Sequence, residues 1–175
     1  MNHQTLHLMK KILLIAAAGN SDDVNEQNAF LLHALPYPSH PRNLEEVSFY
    51  PASLARDAGF PNVIAVTTVD KSTSKVSPFQ NYSPKVIDIG MNRDAIVPID
   101  HYIFFNPRFP SQTVEGSSFA APVVTGKICA NYYRIQSILS GQSYTKEDIW
   151  NALSSEITQS PGLIPFIKKG RVMTK

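Results

Sequence analysis

An uninterrupted apolar run near the amino terminus, Ile12 to Ala18, most limits the folds that this chain can adopt. A strand with one face in solvent alternates apolar and polar side chains, whereas a strand buried on both faces is apolar throughout. The run is far shorter than the roughly 20 residues of a membrane-spanning helix. It therefore predicts a strand that is buried on both faces of a parallel sheet.

Three further segments have the composition of strands. Asn62–Asp70 is rich in β-branched residues, Lys85–Ile89 is a shorter apolar stretch that ends before Gly90, and Tyr102–Phe105 is apolar and aromatic. The polar, proline-containing stretch at 21–48 predicts an inserted loop. We see no repeat and no internal boundary, so residues 1–175 are expected to form a single domain.

Helical periodicity begins in the second half of the chain. Apolar residues recur every three or four positions from Val124 to Leu139, which predicts one helix from about Ser118 to Leu139. Pro122 has no amide hydrogen and is tolerated only in the first turn of a helix. The helix must therefore begin within a few residues before Pro122, which places Ser118 at its amino terminus.

A second helix is predicted by a capping pattern. Thr145 followed three residues later by Asp148 resembles a capping box, with aspartate in place of the usual glutamate or glutamine. The apolar residues expected on this helix are Ile149, Leu153 and Ile157.

Charge and cysteine content argue against several function classes. The chain has 16 Lys and Arg against 14 Asp and Glu, and this net charge of +2 is too small to indicate a nucleic-acid or membrane-surface partner. Cys129 is the only cysteine, which excludes an intrachain disulfide, and no spaced Cys/His set suggests zinc. We therefore expect no cofactor, no metal, and neither a nucleic-acid nor a membrane partner, while the cellular compartment is not indicated.

The segment Gly116–Gly126, Gly-Ser-Ser-Phe-Ala-Ala-Pro-Val-Val-Thr-Gly, has the composition of a nucleophile site. Small residues leave the Ser118 hydroxyl approachable, and a helix that starts there directs unpaired amides and a positive dipole end at it. Negative charge develops at such a position during acyl transfer. Ser118 is therefore a candidate nucleophile and its amide a candidate oxyanion donor. The alternative is a simple helix cap, the commoner role of a serine before a helix.

This segment resembles the region around the nucleophilic serine of subtilisin-like serine proteases. Ala16–Asn20 resembles the strand end that supplies the oxyanion-hole asparagine in the same family, and it occurs in the right chain order. The resemblance implies that Asn20 lies in the oxyanion hole beside Ser118. The residues that it implies for substrate binding are Ala17, Ala18, Gly19, Gly116 and Ser117.

Weaker matches to the family lie between and after these two motifs. Tyr50-Pro51-Ala52 with the strand that follows, and then Val86–Ile89, occur in the family's order, and Gly170-Arg171-Val172 looks like its closing strand. The resemblance spans about residues 6 to 173. It implies an α/β fold, part of a doubly wound, mostly parallel sheet flanked by helices. It also implies a hydrolase, a serine endopeptidase that acts on a peptide or protein through an acyl-enzyme on Ser118.

Two motifs of the family are missing from this sequence. In the family, the triad aspartate lies in an Asp-Thr/Ser-Gly segment and the histidine in a His-Gly-Thr-His segment, both upstream of the oxyanion strand. Neither segment occurs in the 175 residues. Because a serine hydroxyl without a base is a poor nucleophile, we expect this chain alone to be close to inactive.

These absences predict a partial domain, truncated at its amino-terminal side. An amino-terminal half with the triad Asp and His would then be a missing partner, and the strand at Ile12 would present an exposed apolar edge. Two other interpretations stay open. The chain could be a non-catalytic remnant that acts as a peptide-binding or interaction module. Alternatively, Met9–Ala18 imitates a secretory signal, and cleavage after Ala18 would remove the strand from the mature protein.

Overall fold

The computed structural model describes residues 12–19, 43–70, 75–76, 80–92, 116–141 and 144–173. Within these ranges, six strands form one sheet. The strands are β1 (Leu14–Ala17), β2 (Val63–Asp70), β3 (Lys75–Val76), β4 (Ile89–Asn92), β5 (Ile157–Gln159) and β6 (Arg171–Met173). Their order across the sheet is β1-β2-β4-β6-β5, and β3 pairs with β2 outside this path.

Four adjacent strands make the sheet mostly parallel. β1, β2, β4 and β6 run in one direction, whereas β3 and β5 are antiparallel to their neighbours. Ala16 lies opposite Ala65, and Val66 lies opposite Ile89. The carboxyl ends of the four parallel strands therefore meet at one edge of the sheet, where open α/β folds place their sites. The predicted α/β architecture is confirmed.

Both faces of the sheet are covered, because alternate residues of each strand enter two separate clusters of buried side chains. Ile64 and Val66 of β2 belong to the cluster that packs against the helices, and Val63 and Ala65 belong to the opposite cluster. β2 is buried from Val63 to Val69. This double coverage explains why its sequence is apolar or β-branched without strict alternation.

The described residues of the second half of the chain form three α-helices: α1 (Ser117–Ala130), α2 (Tyr132–Ser140) and α3 (Lys146–Ala152). The prediction of a single helix to Leu139 is wrong. The helix is interrupted at Asn131, whose backbone angles lie outside the helical region. The Asn131 side-chain amide donates to the Lys127 carbonyl at 3.0 Å and competes with the continuing helix. Among the described residues, no helix is long and apolar enough to span a membrane.

The predicted start of α3 is confirmed, but its predicted length is wrong. Thr145 and Asp148 form a reciprocal capping box, in which the Thr145 amide donates to the Asp148 carboxylate at 2.7 Å. The helix ends at Ala152, so Ile157 lies in β5 instead. The closing strand expected around Arg171 is confirmed as β6.

The strand predicted at Lys85–Ile89 is displaced, since β4 begins only at Ile89. The Ser83 hydroxyl accepts hydrogen bonds from the amides of Lys85 and Val86, both at 3.0 Å, and folds this stretch into a turn. Of the loop expected at 21–48, residues 43–48 are described and include a turn. Residues 21–42 of that loop, and the strand expected at Tyr102–Phe105, lie outside the described residues.

A buried charge cluster lies on the sheet where β4 begins. The Asp88 carboxylate is almost fully buried and forms ion pairs with the ammonium groups of Lys146 and Lys168, each at 2.8 Å. Both ammonium groups also donate to the Ala55 carbonyl, and the Ala65 amide donates to Asp88. Burial lowers the pKa of Lys146 and nearby Lys168 lowers it further, whereas Asp88 opposes the shift.

The first strand lies at the edge of the sheet. Within the described residues β1 pairs only with β2, and the side chains of Ile12 and Leu14 are 66% and 42% exposed. The predicted exposed apolar edge is confirmed for this part of the chain.

Candidate active site

The turn that opens α1 separates two adjacent serines. Gly116 caps the helix with φ of 138°, a region that side chains rarely adopt, and its carbonyl accepts from the amides of Phe119 and Ala120. The side chain of Ser117 is fully buried, whereas Ser118 is exposed. Of the two serines, only Ser118 is therefore open to a molecule in solution, at the positive end of a helix of 14 residues.

The sheet edge and the helix start meet at a single hydrogen bond. The amide of Gly19, directly after β1, donates to the Ser117 hydroxyl oxygen at 2.9 Å. Both groups are buried, and 98 residues of sequence separate them. The two motifs that suggested a site from sequence are therefore neighbours in space.

A third segment, Gln80–Asn81, holds the other two in place. The Gln80 side-chain oxygen accepts from the Ser117 amide at 2.7 Å and so satisfies one of the free donors at the helix start. The Asn81 side-chain amide donates to the Ala18 carbonyl at 2.8 Å, and its backbone amide donates to the Gly19 carbonyl at 3.2 Å. Gln80 and Asn81 are buried and were missed by sequence reasoning, because a polar pair before Tyr82 is equally typical of an exposed turn.

Both the backbone conformation and the close neighbours of residue 19 require glycine at this position. Its φ is 83°, and a Cβ atom there would lie 2.7 Å from the Phe49 ring and 2.9 Å from the Asn81 side chain. A residue with a side chain is therefore strained at this position and collides with its neighbours. Glycine allows the chain to turn out of β1 tightly enough to reach Ser117.

The structure locates all five residues that the sequence suggested for substrate binding. Ala18, Gly19, Gly116 and Ser117 lie around the meeting point, and Ala17 in β1 is next to them along the chain. Asn20, the predicted oxyanion-hole residue, lies outside the described residues. Its role, like that of the other site residues, stays a prediction.

The described part of the site contains a nucleophile candidate without a base. All five histidines, at positions 3, 7, 33, 40 and 101, lie outside the described residues. Within the described ranges, no group of three or more His, Cys, Asp or Glu side chains could hold a metal ion. The chemistry available from these residues is therefore an accessible hydroxyl at a helix amino terminus, supported by buried hydrogen bonds.

Comparison with known families decides the relationship. A family model described as the Subtilase family matches residues 2–159, nearly the whole chain. The chain belongs to the subtilase family. The resemblance inferred from Ala16–Asn20 and Gly116–Gly126 is confirmed at the level of the family, which suggests a serine protease hydrolase.

Solved structures agree with this membership at the level of fold. The fold of this chain is similar to that of the A-subunit of the AB5 toxin from E. coli. The match covers 98% of this chain and 52% of the A-subunit, with 17% sequence identity and a TM-score of 0.58. A chain from the subtilase cytotoxin SubAB assembly is also similar in fold to this subtilase. That match covers 97% of this chain and 49% of the other, with 16% sequence identity and a TM-score of 0.56. The chain thus spans about half the length of these structures. No curated protein sequence gives a match.

Proposed function

We propose that this chain is the nucleophile-bearing part of a subtilisin-type serine endopeptidase. Its substrate is a peptide or protein, and Ser118 forms the acyl-enzyme. The observation that best supports this proposal is the hydrogen bond from Gly19 to Ser117, which sets the end of β1 beside the start of α1. A helix-capping serine alone has no need of a strand end held next to it, whereas an oxyanion site needs donors from two segments.

The proposed reaction begins with attack of the Ser118 hydroxyl oxygen on the substrate carbonyl carbon. A histidine base takes the hydroxyl proton, and the Ser118 amide and the Asn20 side chain donate to the resulting oxyanion. The tetrahedral intermediate then collapses, the carbon–nitrogen bond breaks, and the protonated histidine gives its proton to the leaving amine. Water, activated by the same base, hydrolyses the remaining serine ester and restores Ser118.

The histidine and its aspartate come from polypeptide beyond these 175 residues. Neither of the family's motifs for these groups occurs in the sequence, and each of the five histidines lies in a segment that matches neither motif. Without the base, serine proteases retain only roughly 10³ to 10⁴-fold acceleration over water, from the oxyanion hole and binding. We therefore expect this chain alone to be close to inactive compared with an enzyme that has the complete triad.

A serine-directed fluorophosphonate probe tests the proposal. The purified chain is labelled alone and after mixing with an amino-terminal half of a subtilase domain that contains the Asp-Thr-Gly and His-Gly-Thr-His segments. We expect labelling only in the mixture, at Ser118 by mass spectrometry, and none in the Ser118→Ala variant. Labelling that persists in Ser118→Ala, or its absence from a mixture shown to form a complex, would favour the non-catalytic binding module instead.

A further inference from the structure

The backbone amides at the start of α1 differ in whether they have an acceptor. The Ser117 amide donates to the side-chain oxygen of Gln80 at 2.7 Å. The two amides that follow Ser118 donate to the Gly116 carbonyl at 3.0 and 3.2 Å. The Ser118 amide itself has no acceptor among the residues that the structure describes. It is therefore the amide of this turn that stays free to bind a group from outside the described chain.

The acceptor of the Ser117 amide is buried and uncharged. Gln80 is only 4% exposed, and its side chain is a neutral carboxamide. The first turn of α1 has no acidic residue, and Gly116 provides no side-chain cap. Negative charge usually stabilises this end of a helix, because the helix dipole is positive there. In the described part of the chain, α1 therefore begins without the carboxylate that its dipole favours.

The start of α3 is built in the opposite way. Its first turn has Glu147 and Asp148, and the Asp148 carboxylate accepts from the Thr145 amide at 2.7 Å. This helix start lies outside the candidate site. The same chain thus uses a charged acceptor at a helix start away from the site, and a neutral acceptor at the helix start that contains the nucleophile candidate.

The charge of this acceptor matters because the proposed reaction forms an oxyanion next to it. The oxyanion accepts from the Ser118 amide, and the preceding amide along the chain is the one that Gln80 holds. A carboxylate in place of the Gln80 side chain would repel the oxyanion and cancel part of the positive end of the dipole. Solvent would screen this repulsion only weakly, because the side chain at this position is buried.

We propose that Gln80 is a positioning residue for the oxyanion hole. Its neutral side chain holds the Ser117 amide, which fixes the start of α1 and keeps the positive end of this helix available to the oxyanion at the Ser118 amide. This inference rests on the proposed function and adds to it a residue that does not touch the substrate. The neighbouring Asn81 supports it, because its side chain holds the Ala18 carbonyl and so fixes the strand end on the other side of the site.

Three variants separate the hydrogen bond from the charge. Gln80→Glu keeps the shape of the side chain and an acceptor oxygen but adds a negative charge. Gln80→Met has a similar length and lacks the acceptor oxygen. Gln136→Glu is the matched control, since it makes the same chemical change at an exposed position of α2, beyond the far end of α1.

Amide hydrogen exchange of the full chain alone, followed by NMR, tests whether Gln80 holds the helix start. Gln80→Met should raise the exchange rate of the Ser117 amide at least about tenfold, because a buried donor loses its acceptor. Gln80→Glu should keep this exchange slow, since a carboxylate is the stronger acceptor. Unchanged exchange of the Ser117 amide in Gln80→Met would overturn the proposal, and this readout does not depend on catalysis.

Fluorophosphonate labelling in the mixture with the amino-terminal half tests the effect on reactivity. The rate is measured at a pH where the carboxyl-carbon NMR signal of the introduced group shows that it is ionised. We expect Gln80→Glu to be labelled at least about tenfold more slowly than the natural chain, although its Ser117 amide stays protected. Gln136→Glu should react at the natural rate. A residue that only stabilised the fold would leave the rate of Gln80→Glu unchanged, because the hydrogen bond is kept.

The outcomes distinguish this inference from the proposed function. Absence of labelling of the natural chain, in a mixture shown to form a complex, would contradict the proposed endopeptidase. Labelling of the natural chain and of Gln80→Glu at equal rates would leave the endopeptidase in place and overturn the positioning role of Gln80. Equal slowing by Gln80→Glu and Gln136→Glu would show a general effect of charge and would also overturn that role.

Discussion

The amide of Gly19 donates a hydrogen bond of 2.9 Å to the hydroxyl of Ser117, across 98 residues of sequence. The acceptor is the buried serine of the pair and the exposed serine is its neighbour, Ser118. One serine therefore holds the strand end against the helix start, which leaves the other available for chemistry.

This division of roles predicts different effects for the two serine-to-alanine variants. Ser117→Ala leaves the buried Gly19 amide without its acceptor and should lower the free energy of unfolding by about 1 to 3 kcal/mol. Ser118→Ala removes an exposed hydroxyl and should change it by less than about 0.5 kcal/mol. Urea unfolding of both variants measures the difference. Equal destabilisation would show that Ser117 does not join the two segments.

The turn after β1 should not tolerate a side chain. Gly19→Ala places a Cβ atom 2.7 Å from the Phe49 ring at a positive φ, and we expect a loss of more than about 1 kcal/mol in unfolding free energy. Gly126 lies inside α1, and a Cβ atom added there would meet nothing within 4 Å, so it provides a matched control. Gly126→Ala should increase stability by about 0.5 to 1 kcal/mol. Thermal unfolding of both variants checks the opposite signs.

The buried Asp88 should be essential to stability. Asp88→Asn removes the charge that balances Lys146 and Lys168, and breaking a buried pair in this way costs roughly 3 to 5 kcal/mol. Asp57→Asn is the matched control, because Asp57 is exposed and its carboxylate accepts from the nearby, exposed Gly59 amide. A loss below about 1 kcal/mol for Asp88→Asn in urea unfolding would contradict this role of the cluster.

The capping box of α3 should weaken in acid. Hydrogen bonds from the Thr145 amide and then from its hydroxyl lower the pKa of Asp148 below 3.8, so the folded state binds fewer protons than the unfolded state near that pH. The stabilisation is complete above pH 3.8 and is lost as the pH falls through the folded pKa.

A comparison with Asp148→Asn measures this dependence. The difference in unfolding free energy between the natural chain and the variant should shrink as the pH is lowered from about 7 toward and below 3.8. A difference that stays constant over this range would show that the ionised Asp148 carboxylate does not stabilise the cap.

Much of the architecture could be predicted from local sequence. The apolar run ending at Ala18 and the β-branched run ending at Asp70 indicated two parallel strands, because burial on both faces leaves an uninterrupted apolar pattern. Pro122 placed the start of α1 within one residue of its observed position at Ser117. These features depend on short stretches of chain, which is why the sequence alone revealed them.

Two predicted elements differ from the structure because side chains compete with the backbone for hydrogen bonds. Ser83 converts the start of an apolar segment into a turn, and Asn131 separates α1 from α2 although the apolar periodicity continues across it. The buried network of Gln80 and Asn81 depends on tertiary contacts with Ser117 and Ala18. A polar pair in sequence does not show which distant backbone groups it will satisfy, so these residues escaped prediction.

The long sequence separation between Gly19 and Ser117 also bears on how the molecule reaches its native state. Contacts between distant residues require closure of a long loop, which slows folding relative to local contacts. During synthesis from the amino terminus, β1 cannot pair with β2 until β2 has been made. The hydrogen bond between Gly19 and Ser117 cannot form until Ser117 has emerged. The apolar Ile12–Ala18 run therefore cannot pair with β2 until β2 has emerged, and holdase chaperones should bind the nascent chain there before the contact between Gly19 and Ser117 can form.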